Sequence, residues 1–324
     1  MILALLSVGL TAGVFAQTTL GLNSPKELPS YLESIPMGGG ADFRADHATV
    51  AISDSDHIFV AWHSQIDDSP DRFQVEGMLI PKTGTDQWTI PALADTDFHR
   101  VLGDPALNIH STDDDSCQRP DVVAVGENFI VTWVRFDVGT ASNYEHLESV
   151  LVEVDTGSTV KISAIVGTQA GEGKRVDEEV ESGEVEVMPD LVALGTDHAG
   201  VIYVHEAGIS GSSNQYRNHD IRFAELDFSG NSFHTEIQML FEDQPLDHLS
   251  GGPMQGGNVS PDICTDAEGN VVFAFSTFNA AGHHSNNDPQ DSRIRLFRFA
   301  PNANATLWDW DQEDAHDFAH NGTS

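Results

Sequence analysis

Basic residues are scarce in this chain: 15 Lys and Arg stand against 51 Asp and Glu in 324 residues, a formal net charge of −36. Nucleic acids and anionic membrane surfaces gain affinity by pairing phosphates with Lys and Arg, so neither is expected as a partner. Only four lysines occur, Lys26, Lys82, Lys161 and Lys174. Such a balance suits a salty medium, divalent cations or plain solubility. Cysteine is sparse too, at two. Cys117 lies three residues before Pro120 and Cys264 three residues after Pro261. These are different places in non-adjacent repeats, so two reduced thiols are expected rather than a bridge. No stretch shows a convincing 3.6-residue apolar period, which argues against helices. Nucleophile elbow, phosphate loop, dinucleotide fingerprint and zinc signature are all missing.

Long apolar runs are missing except at the start. Residues 2–16 are apolar and close in Val14-Phe15-Ala16 before Gln17, with small residues where a signal peptidase reads. These 15 residues are too few for a comfortable membrane span. No basic residue precedes the run, which is unusual for an export signal. The expectation is a signal peptide at 1–16, an N-terminal segment at 17–45, and a secreted protein, extracellular or periplasmic, with no membrane span in this chain.

What the chain does have is a repeat. Four aliphatic-aromatic runs, 58–62, 129–133, 201–205 and 271–275, end in Trp62, Trp133, His205 and Phe275, spaced by 71, 72 and 70 residues. Three copies carry a Pro-Asp pair upstream: Pro120-Asp121, Pro189-Asp190 and Pro261-Asp262. A fixed period of this size marks units that cannot bury their apolar faces alone. Each period divides into four short strands with tight turns between the first and second and between the third and fourth. In the first copy they are expected near 50–52, 58–62, 73–80 and 88–91, and in the last near 263–265, 271–275, 294–299 and 305–310. The fold expected is all-β, a β-propeller of four-stranded antiparallel blades at about 46–117, 118–187, 188–259 and 260–324. A string of small β-sandwich modules is disfavoured, since no Pro- or Ser-rich linkers separate the units. The last period stops in mid-connector, so either a four-bladed ring closes, with 18–22 adding a strand, or the chain is part of a larger propeller. The second is expected.

Loop lengths single out one face. The turns 1–2 and 3–4 are short, while the connections 2–3 and 4–1 are long and polar, and all of the latter emerge on one face. Asp121, Asp190 and Asp262 each open an innermost strand and would ring the mouth of the channel there, with Thr49 in the corresponding place of the first copy. Convergent carboxylates suit Ca²⁺, a hard cation that takes several oxygen ligands. The competing reading is that each Asp caps its own connector by accepting backbone N–H bonds. The acidic runs Asp54-Ser55-Asp56 and Asp113-Asp114-Asp115 lack the glycine and distal Glu of a calcium loop and read as solvated loops. His283 and His284 fall in the longest 2–3 connection, with His219 and Tyr144-Glu145-His146 at corresponding places. Imidazoles on one face suit a metal or hydrogen bonds to a sugar, although 15 histidines make chance clustering easy.

The run 260–275, Ser-Pro-Asp-Ile-Cys-Thr-Asp-Ala-Glu-Gly-Asn-Val-Val-Phe-Ala-Phe, resembles the repeats of exported bacterial propellers of the sialidase-like superfamily. Arg119-Pro120-Asp121 and Met188-Pro189-Asp190 look like further copies, and the resemblance covers about 45–310. It implies the fold and no activity. The superfamily's Asp box, Ser-x-Asp-x-Gly-x-x-Trp, is not matched by Ser53-Asp54-Ser55-Asp56-His57. Of a sialidase's arginine cluster and Tyr-Glu pair, only Arg119 and Tyr144-Glu145 sit suggestively. The leading expectation is therefore a secreted, non-catalytic propeller that binds a glycan or an extracellular protein through Arg119, Asp121, Tyr144, Asp190, His219, Asp262, His283 and His284. The alternative is a sialidase-like glycoside hydrolase or lyase that uses the carboxylates of the central pocket. A passive module of a larger cell-surface protein is a third.

Overall fold

The computed structural model describes residues 45–68, 71–85, 87–92, 94–104, 116–137, 144–167, 173–177, 185–207, 218–228, 234–241, 256–279, 292–300 and 311–319. Every regular element among them is a strand, and no helix is long and apolar enough to cross a membrane. The expected signal peptide and the strand suggested at 18–22 lie outside the described residues.

The strands form four-stranded antiparallel sheets, the blades of a β-propeller. The first comprises β1 (Ala45–Ile52), β2 (Ile58–Asp68), β3 (Asp71–Ile80) and β6 (His99–Gly103), with a small hairpin, β4 (Lys82–Gly84) and β5 (Gln87–Trp88), beside it. The second runs β7 (Ser116–Val125), β8 (Asn128–Asp137) and β9 (Tyr144–Asp155), and closes with β10 (Lys161–Val166) and β11 (Lys174–Arg175), which both pair with β9. The third is β12 (Val185–Ala193), β13 (His198–Ala207), β14 (Asn218–Asp227) and β15 (His234–Phe241). The fourth is β16 (Gly256–Thr265), β17 (Val271–Asn279), β18 (Ser292–Ala300) and β19 (Asp311–Ala319). Single parallel bridges, Val185 to Glu145 and Gly257 to His219, stitch the start of an innermost strand to the third strand of the preceding blade.

Two expected strands fall elsewhere. In the first blade the outer strand is His99–Gly103, paired with β3, whereas Trp88 belongs to the side hairpin. In the fourth blade the strand beside β18 is Asp311–Ala319, which reads in sequence as a polar connector; 305–310 lies outside the described residues. Its polarity suits an edge strand, where charge discourages further pairing. The register sets Arg295 opposite Asp317 and Arg298 opposite Asp314.

The apolar runs that mark the repeat are the second strands, and packing explains why they are apolar on both faces. Side chains alternate across a strand. Phe129, Val131 and Trp133 of β8 therefore enter a core shared with Phe59, Leu79 and Leu102 of the first blade. Ile130 and Val134 enter a core shared with Val201, Tyr203 and Phe223 of the third. Phe59 stacks on Phe129 with ring centroids 5.1 Å apart. A blade sandwiched between neighbours buries both faces, so its central strands lose the apolar-polar alternation of a half-exposed sheet.

Glycine makes room for these rings. A Cβ on Gly200 would stand 2.5 and 2.6 Å from the edge of the buried Phe223 ring, and one on Gly77 would meet Phe59 at 2.4 Å. Gly200→Ala is expected to cost about 1–3 kcal/mol through overpacking, read as a lower urea midpoint. An unchanged midpoint would mean that the ring moves freely, and would contradict the packing.

Candidate functional site

The four innermost strands, β1, β7, β12 and β16, share one irregularity. Their pairing with the second strand skips two residues at the same place: His47-Ala48, Arg119-Pro120, Met188-Pro189 and Ser260-Pro261. Each skip is a bulge, and the residue after it is Thr49, Asp121, Asp190 or Asp262. The first bulge residue lies in the left-handed region in three blades, with φ of 48° at His47, 53° at Arg119 and 56° at Met188. For a non-glycine residue this conformation costs about 1–2 kcal/mol.

An innermost strand is a sheet edge, so its outward N–H groups need acceptors. The aspartates supply them from blade to blade. Asp121 Oδ2 accepts the Leu191 N–H at 2.8 Å, Asp190 Oδ2 accepts the Ile263 N–H at 2.7 Å, and Thr49 Oγ1 donates to Asp121 Oδ1 at 3.0 Å. The carboxyl groups also meet one another, Asp190 lying within hydrogen-bonding reach of both Asp121 and Asp262. Burial pushes Asp190 up to about 7, and the like charges of Asp121 and Asp262 add to it, against the opposing Ile263 N–H. Burial raises Asp121 as well, moderated by Thr49 and the backbone donors. Asp262 is exposed.

The structure thus brings Asp121, Asp190 and Asp262 together, but as an interblade relay. Among the described residues no group of three or more His, Cys, Asp or Glu is arranged to hold a metal ion. Both oxygens of Asp121 and one of Asp190 accept hydrogen bonds within the protein.

Arg119 is exposed, and its N–H donates to His63 Nδ1 at 3.0 Å. The His63 ring lies against His47 at 4.9 Å and edge-on to Phe73 at 4.8 Å. Tyr144 opens β9 opposite Asp137, next to the seam residue Glu145, and His219 lies at the other seam, opposite Gly257. His283 and His284 lie outside the described residues.

A second layer went unnoticed in the sequence. Across the second and third strands of the first three blades, Trp62 faces Glu76, Trp133 faces Glu148 and His205 faces Asp220. All three acids are buried. Glu76 receives Ser64 Oγ at 2.5 Å, Gln74 Nε2 at 3.0 Å and His99 Nε2 at 2.7 Å. Glu148 meets Arg135 Nη1 and His146 Nε2, both at 3.3 Å. Burial would raise Glu148, but His146 and Arg135 outweigh it and hold the carboxyl below its usual range. His146 is itself lowered by burial. Asp220 stands 3.9 Å from His205 Nδ1. Nearby, Glu186 of β12 accepts the Leu147 N–H of the second blade at 2.9 Å, and burial pushes it up to about 8. Glu76, Glu148 and Asp220 are spaced by 72 residues, close to the 71 and 72 that separate Trp62, Trp133 and His205, and this was the available signal.

No family model matches the chain, and no curated protein matches it in sequence. Among solved structures the chain is similar to an endo-arabinase from Bacteroides thetaiotaomicron, with 12% identity over 82% of this chain and 78% of that one, at a TM-score of 0.37. It is similar to a GH93 alpha-L-arabinofuranosidase of Fusarium graminearum solved with arabinobiose, with 9% identity over 86% and 68% of the two chains and a TM-score of 0.40. A Bacillus subtilis levansucrase in complex with oligosaccharides is a third, at 8% identity, 88% and 75% coverage and a TM-score of 0.40.

Proposed function

We propose that the chain is an exported glycan-cleaving propeller, a glycoside hydrolase whose proton donor is Asp190. The carrying observation is a half-buried carboxyl raised to about 7, flanked by two more carboxyl groups, at the bulged end of the innermost strands. An acid that keeps its proton near neutrality, beside a second carboxylate, is the pairing that general acid-base cleavage of a glycoside requires. Asp262, the exposed member, is the partner that faces water, and Asp121 is the fixed neighbour whose charge helps to hold the proton on Asp190. Export rests on the apolar run at 2–16 and its Val14-Phe15-Ala16 ending.

The test is release of reducing sugar from a panel of arabinan, levan, xylan and sialylated oligosaccharides. Asp190→Asn and Asp262→Asn should each lower the rate at least 100-fold with the melting temperature little changed. Wild-type protein that retains one of these glycans on a column but releases nothing would replace cleavage with binding. That second reading, a propeller that holds a glycan without cutting it, is favoured by a specific observation. Asp190 lies within hydrogen-bonding reach of both Asp121 and Asp262, whereas a cleaving pair stands about 5–10 Å apart, and three of the carboxyl oxygens already accept hydrogen bonds within the protein.

A further inference from the structure

Three bulges near the start of the innermost strands adopt a backbone conformation for which glycine is the natural residue, yet none contains glycine. His47, Arg119 and Met188 all have positive φ, and all are exposed. The adjacent layer behaves differently: Asp121 and Asp190 repeat the same residue and make the same interblade bond. Where the side chain makes an interblade bond, the residue is repeated. The bulge position repeats its strained backbone while its side chain changes from imidazole to guanidinium to thioether.

The fold gains little from the side chains of Arg119 and Met188, whereas the His47 ring packs against His63. Met188 is 42% exposed, a large apolar side chain left partly in water. The guanidinium of Arg119 makes no hydrogen bond or ion pair among the described residues, and the link from this residue to His63 runs through its backbone N–H. Strain of this kind persists only where the surrounding structure holds it, and it clusters at catalytic and ligand-binding sites. By contrast Asp56, with φ of 62° in the turn at the opposite end of the blade, pairs with Lys82.

We infer that His47, Arg119 and Met188 are the specificity-determining rim of the glycan site, an inference that rests on the glycan reading above but not on cleavage. The ligand it fits is an uncharged glycan. Arg119 and His47 flank His63 and supply donors to ring and hydroxyl oxygens, Met188 offers a soft apolar surface to a sugar C–H face, and the aspartates below accept from hydroxyl groups. A polyanionic glycan meets three carboxyl groups beneath the rim and a chain of net charge −36.

The experiment uses the full chain and four variants: His47→Gly, Arg119→Gly, Met188→Gly and, as a control of equal strain away from the mouth, Asp56→Gly. Two readouts are taken, the melting temperature and retention on affinity gels containing arabinan, levan, xylan, polygalacturonate or a sulfated galactan. The three rim variants should melt within a few degrees of wild type or higher, since glycine relieves the strained φ, and each should weaken retention by the neutral glycan at least fivefold. Asp56→Gly should leave retention unchanged. Rim variants that melt markedly lower with retention intact would show that the side chains serve the fold, and would overturn the inference. Retention unchanged at an unchanged melting temperature would overturn it too, while leaving the glycan reading in place. Wild-type protein retained by none of the five polymers would end both. Retention by the anionic polymers alone would reject the uncharged ligand.

Discussion

Glu148→Ala is expected to destabilise the protein by about 3–5 kcal/mol, the cost of removing one member of a buried ion pair. Arg135 is 1% exposed and Glu148 4%, so the guanidinium would lose its carboxylate in a place that water scarcely reaches. Two partners are lost at once, because Glu148 Oε1 meets both Arg135 Nη1 and His146 Nε2. The attraction between the charges does not make the pair indispensable. Desolvating both ions consumes much of it, so a double replacement, Arg135→Met with Glu148→Leu, should recover at least half of the loss. A double-mutant cycle in urea measures this directly, with coupling expected at about 1–3 kcal/mol. Glu148→Ala within 1 kcal/mol of wild type would mean that water reaches Arg135. Additive single and double losses would mean that the two side chains act separately.

That pair also shows what the sequence conceals. The period was legible because the second strands bury both faces, which makes them the most apolar stretches in each repeat. The aspartates were legible because they repeat beside proline. Glu148 was not, because a charged residue in a strand reads as solvent-facing, and only its place opposite Trp133, deep between blades, makes it a buried one. The conformation of Arg119 and Met188 was hidden for a different reason. A residue before proline is ordinarily pushed toward extended backbone, and nothing local announces a left-handed one. Asp311–Ala319 reads as a connector because its residues are polar, and only its pairing with β18 makes it a strand. Local patterns thus reveal which segments are strands, and long-range packing decides which charges are buried.

The second large effect is a loss of stability with rising pH that traces to Glu186. Burial raises its carboxyl from 4.5 to about 8, so the folded state holds this proton while an unfolded chain releases it. Stability from this group is complete below about pH 4.5 and falls as the pH climbs to about 8, by up to 1.4 kcal/mol per unit, or roughly 3–5 kcal/mol in all. Asp190, raised from 3.8 to about 7, acts in the same direction over a lower window, with a smaller effect because it is only half buried. Other groups act in the opposite sense. His146, lowered by burial, favours the folded state as the pH rises toward the ordinary histidine value of 6.5. Glu148, held below its usual range, favours it above about pH 4.5. Wild-type stability alone therefore mixes terms of both signs, whereas the difference between wild type and Glu186→Gln isolates one. Glutamine keeps an acceptor for the Leu147 N–H and cannot ionise, so the two proteins should melt together at pH 4.5. The variant should then pull ahead steadily to pH 8 and hold a constant lead above it. A difference that stays flat across that window would mean that Glu186 is ionised in the folded protein, and that water or a cation reaches it between the second and third blades.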